Sequence, residues 1–420
     1  MPHMAGAEQG RNMTERVDVA IVGGGMVGGT LAAALAEAGL SVALVDRADP
    51  AEQLEQAYDG RTVAIAHATH RLLQATGLWT RLVPHAEPIL DIRVTDGPSL
   101  LFLHYDHREL GEDPLGYIVE NRALRRSLFA RLGGLETLRF RAPAALARHI
   151  AMPAGVTLTL ADGNEIDAAL LVAADGSDSA LRRTAGIASA QWDYGQTAIV
   201  CTMAHEKPHR GIAHERFLPA GPFAVLPMTD DPVHGHRSSI VWTEKKALAP
   251  AMLALPDADF SFELHRRFGP WLGEVRVAGG RWSYPLRFAH AETYVKPRFA
   301  LVGAAAHTMH PIAGQGLNIG LRDVAALAEV LVDAKRLGLD IGSPAVLERY
   351  QRWRRFDNQV LLSVTDTLNR LFSNDLAPLR LVRDLGMAAV NRLGPLKHFF
   401  MRHAMGTVGD LPRLLRGEAL

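Results

Sequence analysis

Three apolar, largely β-branched runs each end abruptly on a glycine-bearing bend: Val17–Val22 before Gly23, Ala169–Ala173 before Asp175-Gly176, and Phe299–Val302 before Gly303. Such near-continuous apolar runs predict strands buried on both faces, as in a parallel sheet. Beyond each bend the period changes. Leu31 and Leu35 sit among alanines in a helix ending near Gly39, and Ser41–Val45 follows as a short strand closed by Asp46. Ser179–Ala185 resumes helical character after the second bend. After the third, Leu321, Val324, Leu327, Ala328 and Leu331 repeat at helical spacing from Leu317 onward. The glycines at 314, 316 and 320 read as a flexible bend that also permits close backbone approach.

The other segments have different rhythms. "GVTLTLADGNEIDAAL" alternates as a hairpin turning at Asp162-Gly163. Residues 186–294 read as strands joined by Gly/Pro turns, with Phe217, Phe223, Pro227 and Trp242 as candidate pocket walls. Residues 346–405 are mostly helical, basic and amphipathic, with Phe399, Phe400 and Met401 set among Lys397, His398, Arg402 and His403.

Chemistry enters first at Gly23-x-Gly25-x-x-Gly28. Gly23 permits the tight turn, Gly25 lets backbone approach a pyrophosphate, and Gly28 lets helix and strand pack closely. The helix N-terminus favours the diphosphate, and Asp46 is spaced to hold ribose hydroxyls. This predicts a dinucleotide site. Asp175 stands at the end of a second strand, where open α/β sheets bind ligands. Arg182 and Arg183 follow it, suited either to cofactor phosphates or to a solvated face.

Composition narrows the picture further. The chain has 420 residues, enough for about two domains. It carries 45 basic and 45 acidic residues, a balance that gives no global field favouring nucleic acid. Its one cysteine, Cys201, rules out an internal disulfide and argues against a cysteine-based metal site, and no metal is expected. No secretory h-region or membrane-spanning run is visible, which suggests a cytoplasmic protein. The N-terminal tail to Arg16 is expected to be disordered.

Taken together, the three strand ends, "DGRTVAIAHATHRLLQATGLW" (Asp59–Trp79), "LGYIVEN" (Leu115–Asn121) and "GAAAHTMHPIAGQGLNIGLRD" resemble the FAD-dependent aromatic hydroxylases, single-component flavoprotein monooxygenases, and most closely their ubiquinone-biosynthesis branch. The resemblance implies an α/β protein. Its Rossmann-like FAD-binding domain of glutathione-reductase type would comprise residues 16–95, 120–185 and 295–345. An inserted antiparallel-sheet substrate domain would take 96–119 and 186–294, and C-terminal helices 346–420. It also implies that NAD(P)H reduces FAD, and that a flavin hydroperoxide formed with dioxygen hydroxylates the ring of a polyprenylated phenol. Peripheral contact with the inner face of a membrane, or with a ubiquinone-biosynthesis complex, would suit such a substrate.

Residue by residue, the resemblance carries cofactor binding to Gly23, Gly25, Gly28, Asp46, Arg61, Asn121, Asp175, Gly303, Gly314, Gly316, Leu317 and Asn318. The helix start near Gly316 would stabilise negative charge on the reduced flavin. Pro311 would wall the oxygen-transfer side. His310 is the candidate proton relay for the substrate phenol, the alternative for it and for His307 being backbone-satisfied histidines that shape the loop. One position departs from the superfamily: Ala304 stands where an aspartate normally contacts the FAD ribityl chain. That departure keeps open a non-catalytic accessory subunit, beside another flavin-dependent aromatic hydroxylase.

Overall fold

The computed structural model describes residues 14–55, 59–97, 99, 102–373, 383, 386 and 389–420; of the N-terminal tail expected to be disordered, residues 1–13 lie outside the described residues, and Thr14 to Arg16 are instead paired in a strand. The three apolar runs lie side by side in one sheet. Its parallel part has the order Phe299–Leu301, Glu165–Ala173, Thr14–Val22, Val42–Val45 and Leu138–Arg141. Val19 to Ile21, Leu170 to Ala173 and Phe299 to Leu301 are almost wholly excluded from solvent. The lack of alternation in the sequence has that cause: helices cover both faces, so neither can be polar. The hairpin Gly155–Leu160 with Glu165–Ala173 extends the sheet on one side.

A second sheet of eight strands is antiparallel except where Ile212–Leu218 runs parallel to Asp91–Asp96. The helix Asp257–Phe268 covers one face, over a core of Ile199, Cys201, Met203, Phe223, Trp242 and Phe260. Phe223 and Trp242 are therefore core residues, not pocket walls. Phe217 packs against Phe372 with ring centroids 4.2 Å apart, and Pro227 is buried as well. A small third sheet, Thr62–Ala66, Gly116–Glu120 and Ala86–Ile89, stands beside these two.

One loop belongs to both large sheets. The chain leaves the parallel sheet at Leu301, bends at Gly303, and pairs as His307–Thr308 with Ala289 and His290 of the second sheet. It then enters the helix Gln315–Arg336. Only Gly314, with φ of +62°, lies in the bend; Gly316 and Gly320 are helical, which corrects the flexible-bend reading. Gly320 is needed for contact: a Cβ there would come within 2.9 Å of Val27 and 3.3 Å of the Gly303 Cα. The helix Pro344–Phe372 packs across Gln315–Arg336, and Gly394–Ala404 follows near the C-terminus.

Candidate flavin site at the shared loop

The strand register sets the C-terminal ends of the three runs side by side. The Ala174 N–H donates to the Val22 carbonyl at 2.8 Å, and the Val302 N–H to that of Ala173 at 3.1 Å. Gly23 has φ of +110°, and a Cβ would lie 2.3 Å from the Ala174 carbonyl oxygen. Gly28 is as tight, its Cβ position 1.9 Å from the Gly23 oxygen. At Gly25 an added Cβ would meet no atom of the described residues within 4 Å. The fingerprint thus divides into two glycines required by packing and one that leaves open space. The helix Met26–Glu37 starts at Gly25 with no side-chain cap and no acid in its first turn, so its N-terminal N–H groups remain available to an anion.

Asp46 and Asp175 both reach this end of the sheet, and each also holds its own loop. Asp46 accepts from the Gly24 and Ala48 N–H groups. Asp175 accepts from the Ser179 hydroxyl and the Leu181 N–H. Arg182 serves neither phosphate nor solvent: it is buried, and its guanidinium donates to the Ala305 carbonyl at 2.7 Å. Arg183 is exposed and donates to the Asp178 carbonyl.

The resemblance implies that Arg61 lies near the cofactor, the alternative being a surface arginine. Its side chain is 45% exposed, paired with Asp59 and lying over the Tyr284 ring at 5.2 Å. Its backbone carbonyl accepts from the Asn121 N–H, which ties the two segments together. The Asn121 Oδ1 is buried and has no hydrogen-bond partner among the described residues.

Across the site, Gly314 packs on Ala64. The Asn318 amide donates to the Ala64 carbonyl and accepts from the Ala66 N–H, so its side chain is committed to the strand and its backbone is what remains for a ligand. Gly316 is exposed with no atom of the described residues near its Cβ position, and Leu317 is half-buried beside it.

The Gly303 turn is anchored at both ends. The Gly303 N–H donates to Asp323 at 3.1 Å, and Ala305 is held by Arg182. Between them Ala304 projects its methyl group outward. Asp323 is wholly buried and accepts from His307 Nε2 at 2.5 Å, Arg354 Nε at 3.0 Å and Asn358 Nδ2 at 3.0 Å. Burial opposes its ionisation, but His307, Arg354 and Asn358 prevail and hold the carboxyl down at about 2. His307 is therefore fastened by a carboxylate rather than by backbone carbonyls. The network runs on through Asn358 to the Tyr294 hydroxyl, and from there to His290.

Sequence reasoning missed Asp323, Arg354 and Asn358. The available signal was Arg354 and Asn358 sitting on the same helical stripe as Tyr350 and Leu362, where an apolar face should continue.

His310 is the opposite case. It is fully buried, neither ring nitrogen has a hydrogen-bond partner among the described residues, and burial pushes its pKa down to about 4. Its ring meets Tyr194 edge-on at 5.2 Å, and Pro311 follows it at the bend.

FAD suits these residues on several counts. Two uncapped helix starts, open space at Gly25 and Gly316, an orphaned Asn121 oxygen and an outward-facing position 304 surround one region. A metal has less support there. Among the described residues the cluster able to hold one is Asp91, Asp106 and His107, at the edge of the second sheet, where Asp106 already engages Arg108.

Comparison with known proteins agrees. Residues 16–362 match the family model described as FAD binding domain. The chain is 56% identical to the ubiquinone hydroxylase UbiL of Rhodospirillum rubrum, over 96% of this chain and 93% of that protein. It is 37% identical to the 3-demethoxyubiquinol 3-hydroxylase of Escherichia coli, over 93% and 98%. In fold it is similar to the p-nitrophenol 4-monooxygenase PnpA of Pseudomonas putida, with a TM-score of 0.77 at 20% identity over 95% of this chain and all of that one.

Proposed function

Because the chain belongs to the FAD-binding-domain family, among the flavin-dependent hydroxylases of ubiquinone biosynthesis, we propose that it hydroxylates the aromatic ring of a polyprenylated phenol at the junction of its two large sheets. NAD(P)H is the reductant. When bound, FAD supplies the redox chemistry and the activation of dioxygen. The protein's own residues bind, orient and exclude water. Gly23, Gly25, Gly28 and Asp46 take the diphosphate and ribose. Asn121, Asp175, Gly303 and the Arg61 segment line the middle of the cofactor. The N–H groups of Gly316, Leu317 and Asn318, after Gly314, face the charged edge of the ring system. Pro311 bounds the side on which substrate sits. The division into FAD-binding segments (16–95, 120–185, 295–345), substrate segments (96–119, 186–294) and C-terminal helices (346–420) belongs to the same reading, as does a cytoplasmic enzyme working at the inner face of a membrane or within a biosynthetic complex.

The observation that carries the catalytic assignment is His310, buried with two unpartnered ring nitrogens beside the bend. A neutral imidazole with an open lone pair can accept the proton of a substrate phenol and make its ring more nucleophilic. Replacing His310 by alanine should therefore lower single-turnover hydroxylation about 100-fold while leaving NAD(P)H-driven flavin reduction within about twofold. Equal loss in both half-reactions would remove the relay role.

A further inference from the structure

The long strand Ser189–His205 pairs with Val275–Ala291 on both sides of an interruption: Asp193 lies opposite Arg287, and Thr197 opposite Pro285. Tyr194, Gly195 and Gln196 therefore face a single residue, Leu286, and the strand bulges. Gly195 absorbs the bend with φ of +66°, and its N–H donates to Asp193 at 2.7 Å. Bulges re-aim the side chains they carry. Tyr194, on this one, meets the His310 ring at 5.2 Å and 80°.

The two sides of Tyr194 differ. On one, it packs with Trp192 against the apolar cluster of Phe288, Met309, Ile319 and Leu362. On the other is an open cavity of about 470 Å³, whose lining includes Tyr194, Trp192, Gln196 and Asn369. The cavity floor is hydrogen-bonded: the Gln196 amide donates to the Ala220 carbonyl at 2.8 Å, and the Asn369 amide to Gln196 Oε1 at 3.1 Å. Beside the Tyr194 hydroxyl that satisfaction stops. Trp192 Nε1 and Asp366 Oδ1 both lie there, buried and with no hydrogen-bond partner among the described residues. Unpaired polar atoms bordering a roomy polar cavity are where water settles. The charged groups on that side are Asp193, Lys245, Asp366 and Arg370, and it is burial rather than any of them that lowers the His310 pKa. Burial and the Asp366 carboxylate hold the Tyr194 hydroxyl above its ordinary pKa, so it keeps its proton and offers no base. That leaves the ring.

We propose that the Tyr194 ring is the partition that keeps the water of this cavity from His310, and thereby a positioning residue for the hydroxylation. The proposal rests on the reading of His310 as acceptor of the phenol proton. Water at the imidazole would occupy the lone pair that the phenol needs. Water further in would divert dioxygen, which then takes both electrons and two protons and leaves as hydrogen peroxide, instead of giving one oxygen atom to the ring and the other to water.

The test compares the flavin-loaded full chain with Tyr194→Val, which suits a strand but lacks the ring, and with Tyr194→Phe, which keeps the ring without the hydroxyl. The first reading is the NMR titration of the His310 imidazole in oxidised enzyme without substrate, its signal assigned by its absence from His310→Gln. The second is hydrogen peroxide formed per NAD(P)H oxidised during turnover of a prenylated phenol. In Tyr194→Val the imidazole should titrate at about 6, close to a solvated histidine, against about 4 in wild type. Its peroxide yield should rise at least about fivefold, with NAD(P)H-driven flavin reduction within about twofold of wild type. Tyr194→Phe should match wild type in both readings. Equal titration in wild type and Tyr194→Val overturns the proposal. So does a Tyr194→Phe enzyme that releases peroxide, a result that stands even where Tyr194→Val fails to fold. Failure of the relay reading shows elsewhere, as a His310→Ala enzyme that hydroxylates as fast as wild type, whereas the titration reads the partition without turnover.

Discussion

His307 and His310 sit three residues apart on one loop and both are buried, but the fold treats them in opposite ways. His307 is one member of a network in which Asp323 receives hydrogen bonds from four residues, Gly303, His307, Arg354 and Asn358. Among the described residues His310 has no hydrogen-bond partner at either nitrogen. Burying a polar group without a partner costs about 1–3 kcal/mol, so the protein tolerates at position 310 what it avoids at 307. The first region fixes backbone, since the network holds the Gly303 turn in place. The second keeps an acceptor unengaged where substrate is proposed to lie. Rigidity and reactivity are thus allotted to adjacent stretches of one loop.

The largest expected effect comes from breaking the satisfied side. Arg354→Met removes the guanidinium from a buried carboxylate and should cost about 3–5 kcal/mol in urea unfolding, because Asp323 is left under-compensated. His310→Gln, by contrast, should change stability at neutral pH by no more than about 1 kcal/mol, since no bond is lost. A loss below about 1 kcal/mol for Arg354→Met would mean that the network is ornamental and the contrast false.

Acid sharpens the same contrast by separating the two regions in pH. His310 takes a proton near 6.5 when unfolded but only near 4 when folded. Between those values the unfolded chain binds more protons, so this histidine makes the fold less stable as pH falls from 6.5 to 4, by about 3 kcal/mol in total. The Asp323 carboxyl is depressed from 3.8 to about 2, so its stabilisation is present above its unfolded value and lost as pH falls through 2. The two windows do not overlap. Stability measured by denaturant from pH 7 to pH 4 should therefore decline less steeply in His310→Gln than in wild type. Parallel curves would show that His310 finds a partner in solution.

The parts of this arrangement that sequence reveals are those with local causes. Strand ends, fingerprint glycines and the helix after Leu317 follow from runs of residues that neighbour one another, and the resemblance then groups them around one cofactor. Gly320 was legible as a point of close backbone approach, but its partners were not, because Val27 and Gly303 reach it from distant segments. The Asp323–Arg354 pair was hidden for the same reason: 31 residues separate the partners, and each alone reads as an ordinary charge on an amphipathic helix. Arg61 misled in the other direction. Its strand neighbours Val63 and Ile65 are apolar, yet as the strand's preceding residue it points out to Asp59.

Ala304 is where the two regions meet, and it gives the smallest predicted effect. The turn that carries it is held by Asp323 on the Gly303 side and by Arg182 on the Ala305 side, so a new side chain at 304 should project from an unchanged backbone. By resemblance, the superfamily places a hydrogen-bonding residue here against the ribityl chain, and an alanine cannot reproduce that contact. Ala304→Asn should tighten FAD by about 1 kcal/mol, several-fold in affinity, because one hydrogen bond to a ligand hydroxyl is worth about that much net. Asparagine suits the test better than aspartate, since it adds no negative charge beside a cofactor that already carries a diphosphate. Stability without FAD should stay within about 0.5 kcal/mol, as for other exposed substitutions. Fluorescence titration of the apoprotein reads the affinity. If FAD binds Ala304→Asn no more tightly while Arg354→Met weakens it, the anchored turn positions the cofactor through its backbone, and the alanine at 304 costs this enzyme nothing.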